Sequence, residues 1–424
     1  MMDFRSRDFG VYYILIVLFV VQYIFAESEG KNKRRLEEER MNKINRTLSG
    51  NHIHTIIILL ISAVLCLALL SGCSIVSVNK DSKTIGISLP TKSLERWNRD
   101  GIYLKEQFES QGYNVELRYS NDDVYQQNND IECLIADGVD VLIVVPIDGD
   151  ALSQTLKRAG EDGIEIISYD RLIRNTDAID YYVSFDNNGV GRLQGQYIID
   201  SLNLDKAEGT YNIEFVLGDP ADNNATYYFN GAMEVLKPYL DSGKLNIPSG
   251  KESFEEAATP GWSTDDAYEN MQNTLASYYS DGSRLDAVLA SNDAVALGAS
   301  KAIQSDYKGS NFPIITGQDA DIITIHNIVD NTQAMTVFKN VNEEAAVAVE
   351  VAGALLEGRK PSDELIASLP KGTVFDTESY NNNARVVSSY LLPPAVITRA
   401  NLDTLVATGH YKWDGEHKYL TSTK

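Results

Sequence analysis

Several short polar runs place hydrogen-bonding side chains at the ends of apolar stretches: Asp170 and Arg171, Asp222 and Asn224, Asn292, and Asp319 after Gly317-Gln318. Arg96 with Trp97, Trp262 and Lys339 occur in comparable places. Planar carboxylate, guanidinium and amide groups are the partners that a ring of hydroxyls needs, because each hydroxyl both donates and accepts. Indole rings supply flat apolar plates for the C–H faces of such a ring. The chemistry that this set can do is therefore recognition of a small polyhydroxylated ring such as an aldose.

Each residue also has an ordinary reading. An Asp-Arg pair alone makes a surface ion pair as readily as a ligand contact. Asp222-Asn223-Asn224 alone reads as a turn or helix cap. Trp97 alone is a core anchor on a helix face, and Lys339 alone a solvated lysine. Their joint occurrence at successive strand ends favours ligand contacts.

The elements that must position these groups are legible in the spacing. Buried, β-branched runs at 84–89, 114–119, 139–146, 164–169 and 181–185 alternate with helix-like stretches at 94–111, 126–137 and 151–161. A second series has strands at 212–217, 285–290, 314–316 and 334–338 and helices near 225–239, 264–279, 294–304 and 343–356. Alternation of this kind implies parallel sheets covered on both faces and joined by right-handed crossovers. The expected fold is α/β, with two doubly wound parallel-sheet lobes, and ligands of such sheets sit beyond the carboxyl ends of the strands.

The runs Pro90-Thr91-Lys92-Ser93-Leu94-Glu95-Arg96-Trp97, Tyr169-Asp170-Arg171-Leu172-Ile173, Asp222-Asn223-Asn224, Val288-Leu289-Ala290-Ser291-Asn292-Asp293 and Gly317-Gln318-Asp319-Ala320 occur in that order. Together they resemble the xylose-binding and multiple-sugar-binding receptors of the type I periplasmic-binding superfamily, from Thr84 to about Leu402. The resemblance implies that Trp97 and Trp262 form opposite walls of a sugar site. It implies that Asp170 and Arg171 bind ring hydroxyls, that Asp222 and Asn224 reach in from the second lobe, and that Asn292, Asp319 and Lys339 complete the set. It further implies a hinge crossed three times, near Asn187, near Phe338 and between Val374 and Asn383. The lobes are then 84–187 with 338–380, and 188–337 with 381–424. The calcium loop of the related galactose-binding proteins is not evident, and neither a cofactor nor a metal is expected.

The chain of 424 residues is long enough for two lobes and a leader. A short apolar core at 56–70 follows Lys43 and Arg46 and ends in Leu70-Ser71-Gly72-Cys73, which reads as an export signal and resembles a lipobox with Cys73 acylated. Residues 41–72 form a complete lipoprotein signal peptide, so translation is expected to begin at Met41, leaving 1–40 untranslated. Residues 73–83 then form a tether. The expected partners are a monosaccharide, the permease of an ATP-binding-cassette (ABC) importer, and the outer face of the cell membrane through Cys73.

Net charge is −23, which argues against nucleic acid as a partner. Of three cysteines, Cys133 is expected to be a buried thiol on a helix face, and no disulfide framework or Cys/His metal cluster is possible. A glycoside hydrolase is the rival enzymatic reading, but the acids are paired with Arg, Asn or Gln, which favours stable charged acceptors. Outside the leader the histidines are His326, His410 and His417, none beside a candidate nucleophile. A sugar-responsive transcription regulator would need a DNA-binding headpiece where the leader stands. A receptor for chemotaxis or a sensor kinase would share every feature named above.

Overall fold

The computed structural model describes residues 82–423. The leader, Met41, Cys73 and most of the tether lie outside the described residues.

Two parallel sheets organise the chain. The first lobe begins with β1 (Thr84–Leu89), α1 (Glu95–Ser110), β2 (Asn114–Tyr119), α2 (Val124–Ala136), β3 (Val141–Val144), α3 (Ser153–Glu161), β4 (Glu165–Tyr169) and β5 (Tyr181–Phe185). The second lobe follows with α4 (Asn187–Ser201), β6 (Tyr211–Val216), α5 (Asn223–Asp241), β7 (Leu245–Asn246), α6 (Phe254–Ala257), α7 (Thr264–Tyr278), β8 (Ala287–Ala290), α8 (Asp293–Asp306), β9 (Ile314–Ile315), α9 (Ile322–Val329) and β10 (Thr336–Phe338). The chain returns to the first lobe for α10 (Val341–Leu356), β11 (Val374–Asp376) and β12 (Ser389–Leu392). It ends in the second with β13 (Ala395–Ile397), α11 (Asp403–Ala407) and the hairpin β14 (Tyr411–Trp413) and β15 (Leu420–Ser422).

The first sheet has the order β11-β12-β5-β4-β3-β1-β2, parallel except for β11 at its edge. The second has β7-β6-β8-β9, all parallel, and a bridge from Gln318 to Val337 leads on to the antiparallel pair β10 and β13. Strands β1, β2 and β5 have the bounds that the spacing predicts. The central strands are apolar on both faces because helices cover both. Ile85, Ile87, Val141, Ile143 and Val183 are fully buried against α1 and α10 on one side, and Leu142, Val144 and Ile166 against α2 and α3 on the other.

The last crossing lies after Leu392, not between Val374 and Asn383, because Ser389–Leu392 is wholly buried and pairs in parallel with Tyr182–Phe185 of the first sheet. Residues 381–392 therefore belong with the first lobe; the asparagine run at 381–383 is a turn rather than a hinge. Cys133 is exposed, because α2 buries Gln127, Ile131 and Leu134 and turns Cys133 to the opposite face. Helix α4 is not predicted by the spacing, since Gly189, Gly191 and Gly195 lower its intrinsic propensity. It is set by packing: a Cβ on Gly191 would lie 1.8 Å from the Tyr228 carbonyl oxygen of α5, and one on Gly231 of α5 would lie 1.9 Å from that of Asn188. Only glycines allow the two helices to approach so closely.

Candidate ligand-binding site

The polar strand ends converge where the lobes face each other. Helix caps do part of the positioning: Asp222 opens α5 by accepting from the Asn224 N–H, and Asn292 opens α8 by accepting from the Val295 N–H at 3.1 Å. A side chain at such a cap is fixed at the carboxyl end of the preceding strand, next to the positive end of a helix.

Arg96, in the first turn of α1, is the electrostatic centre. Its guanidinium meets four carboxylates: Asp170, Asp100 at 3.2 Å, Glu344 of α10 at 3.1 Å and Asp319 of the second lobe at 3.4 Å. Lys339 lies at the second crossing, 3.4 Å from Asp170, 3.6 Å from Asp319 and 3.3 Å from the Tyr228 hydroxyl. Arg171 pairs with Asp222 across the lobes at 2.8 Å. Every member of this network is nearly or fully buried, so each cation is held chiefly by the anions beside it.

The charges tune one another. Burial pushes the Asp170 carboxyl up, yet Arg96, Lys339 and Arg171 together hold it below the usual carboxylate range. Asp222 goes the other way, since burial outweighs the opposing pull of Arg171. Burial and Arg96 would lower Lys339, but Asp170, Tyr228 and Asp319 keep it above the ordinary lysine value. Burial likewise raises Glu344 and Asp100, against the pull of Arg96.

Nine of the ten residues singled out in the sequence, Arg96, Trp97, Asp170, Arg171, Asp222, Trp262, Asn292, Asp319 and Lys339, line one cavity. Trp97 has the Arg96 and Arg171 guanidiniums over its ring at 4.9 and 5.2 Å. Trp262 approaches Tyr228 with ring centroids 6.5 Å apart. Both indoles are buried, and neither ring N–H has a hydrogen-bond partner.

Asn224 is the one that does not line the cavity. Its amide donates to the Asp170 carbonyl at 2.7 Å while its oxygen accepts from Tyr182 and Asn187. It thus fixes the backbone of Asp170, which sits at φ 58°, instead of reaching the ligand space. Leu94, Tyr228, Gln318 and Asp321 line the cavity too and were not singled out. Tyr228 falls one turn beyond Asn224 on α5, and Asp100 one turn beyond Arg96 on α1, so the i, i+4 rule could have found both. Glu344 carries no such local signal, because it meets Arg96 from a distant part of the chain.

A hinged pair of doubly wound lobes with one buried polar cavity between them defines a bilobed binding protein. The periplasmic binding protein domain model matches residues 85–360, and the chain belongs to that family. It is 40% identical over 338 residues to the multiple sugar-binding periplasmic receptor ChvE of Rhizobium radiobacter, covering 79% of this chain and 92% of that one. It is 36% identical over 330 residues to the D-xylose-binding periplasmic protein of Escherichia coli K12, covering 77% and 91%. Among solved structures it resembles an ABC transporter solute-binding protein of Clostridium phytofermentans with bound β-D-glucose, at 43% identity and a TM-score of 0.74, covering 79% and 99%. Among the described residues no helix is long and apolar enough to cross a membrane, and no group of His, Cys, Asp and Glu could hold a metal ion.

Proposed function

We propose that this protein is the extracytoplasmic receptor of an ABC sugar importer and that it closes around one aldopyranose of the xylose, glucose or galactose type. The observation that carries the reading is the single cavity in which Trp97 and Trp262 meet Arg96, Asp170, Arg171, Asp222, Asn292, Asp319 and Lys339. Two indole plates, two unpartnered indole donors and a set of fixed charges are what a neutral polyol needs. The names of its relatives, a multiple sugar receptor, a D-xylose-binding protein and a glucose-bound solute-binding protein, point to the same ligands.

The mechanism follows from which lobe supplies each group. Arg96, Trp97, Asp170 and Arg171 belong to the first lobe, and Asp222, Trp262, Asn292 and Asp319 to the second. A sugar gains both sets of contacts only when the lobes are shut, so binding shifts the hinge toward closure. A transporter can then read the loaded state from the closed surface. Acylation at Cys73 would keep the receptor beside its permease on the outer face of the membrane.

Asp170 also bears on the hydrolase reading. Asp170 is held low by three cations, which suits a hydrogen-bond acceptor for a sugar hydroxyl and not a catalytic acid.

The test is calorimetry and thermal shift with a panel of aldoses, because a ligand that binds only the native form raises its melting temperature. Trp97→Ala and Asp319→Ala should each abolish the response while leaving a folded protein. Unchanged binding in both variants, or no aldose response in the parent, would refute the reading. The anchor is tested separately, by incorporation of labelled fatty acid into the parent and its loss in Cys73→Ser.

A further inference from the structure

Arg99 stands one turn after Arg96 on α1, but it lies outside the ligand cavity, in a groove on the other side of the same loop. That loop, Asp319 to Asp321 of the second lobe, carries the carboxylate that Arg96 and Lys339 face. The Arg99 guanidinium donates to the Asp319 carbonyl oxygen at 2.8 Å and to the Tyr411 hydroxyl at 3.0 Å, and it pairs with Asp321 at 3.8 Å. Tyr411 in turn donates to the Ala320 carbonyl oxygen at 2.9 Å. The two arginines therefore straddle the loop, Arg96 on the side chain of Asp319 from within and Arg99 on its backbone from without.

The loop needs such holding. Asp319 and Ala320 sit at φ 99° and 56°, two consecutive residues with side chains in the left-handed region, a conformation that persists only when its surroundings enforce it. Within the second lobe the loop is held by the Asp293 carboxylate on the Asp321 N–H, by Thr336 on the Ala320 N–H and by Val337 on the Asp319 N–H. From the first lobe, Arg99 is the side chain that bonds its backbone, so this contact spans the two lobes.

We propose that Arg99, bridged by Tyr411, is a positioning residue that fastens the closed lobes and sets Asp319 for the ligand without touching that ligand. The inference rests on the sugar-receptor reading above. Because the fastening joins one lobe to the other, weakening it should raise the rate of opening and hence of release. Because it makes no ligand contact, every sugar is affected by the same factor.

The experiment is stopped-flow fluorescence on the parent, Arg99→Ala, Arg99→Lys and Tyr411→Phe, with glucose and xylose. Arg99→Ala should release both sugars about tenfold faster, the effect of losing a charge-assisted hydrogen-bond set. Its association rate should stay within about threefold and its glucose-to-xylose affinity ratio should not change. Arg99→Lys and Tyr411→Phe each keep part of the set and should fall between Arg99→Ala and the parent. Should Arg99→Ala fail to fold, those two milder variants carry the test. Release at the parental rate, even with a lowered melting temperature, overturns the proposal and leaves Arg99 a structural residue. A changed sugar preference overturns it too, by showing that Arg99 contacts the ligand. Absence of sugar binding by the parent would instead overturn the receptor reading on which it rests.

Discussion

Replacing Gly218 by alanine should dislodge Trp262 and weaken sugar binding without abolishing the fold. Gly218 lies just beyond β6, under the indole: an added Cβ would stand 2.1 Å from Cη2 of Trp262, 2.4 Å from Cζ3 and 2.6 Å from Cζ2. Carbon atoms settle about 3.5 Å apart, so the ring must retreat by about 1.4 Å. Trp262 is 5% exposed, its backbone is at φ 54° and Tyr228 lies beside it, so the ring has little room to rotate away. Overpacking of this kind costs about 1–3 kcal/mol of stability. A displaced stacking plate should cost about 1–2 kcal/mol of binding, roughly 5- to 30-fold in affinity. Calorimetry on Gly218→Ala, Trp262→Ala and the double variant closes the cycle. With no ring left to strike, Gly218→Ala should cost almost nothing in the Trp262→Ala background. An equal loss in both backgrounds would refute the reasoning.

Arg96→Met should lower folding stability by about 3–5 kcal/mol in urea titrations, because it strips the cation from a buried set that includes Asp170, Asp100 and Glu344. Gly191→Ala and Gly231→Ala should each reduce the melting temperature more than an alanine at an exposed glycine, since the obstacle is a backbone carbonyl that no side-chain change removes. Asp293→Asn should flatten the pH dependence of stability between about 4 and 7. Burial raises the Asp293 carboxyl to about 7, opposed by its Thr324 hydrogen bond and assisted by the charge of Asp319. The native state therefore holds this proton more tightly than the unfolded chain, so its contribution is complete below pH 4 and is lost as pH rises through 7. Thermal melts across that range check it, and an unchanged profile in the variant would contradict it.

Most of the site was legible because its residues stand at strand ends and helix caps, where the chain's own rhythm announces them. Asp170, Asp222, Asn292 and Asp319 each follow an apolar run, and the topology then delivers them to one cavity. What the sequence concealed depends on distant neighbours. Asn224 has the type and place of a ligand contact, yet the Asp170 carbonyl claims its amide. Glu344 sits on an apolar helix with no cue that Arg96 waits opposite. The stretch around Ser389–Leu392 is too short for its periodicity to name a lobe, and only pairing with β5 assigns it. Helix α4 violates propensity because the close crossing with α5 outweighs it.

Strand β12 comes late in the chain, and the first sheet is incomplete until it is made. Strand β5 is flanked by β4 on one side and by β12, from far down the chain, on the other. Until synthesis reaches Leu392, Tyr181–Phe185 presents an unpaired, apolar rim, a template for wrong partners. A fragment cut at residue 360, where the family match ends, would keep that rim permanently open and should aggregate, and it would also leave β10 without its partner β13.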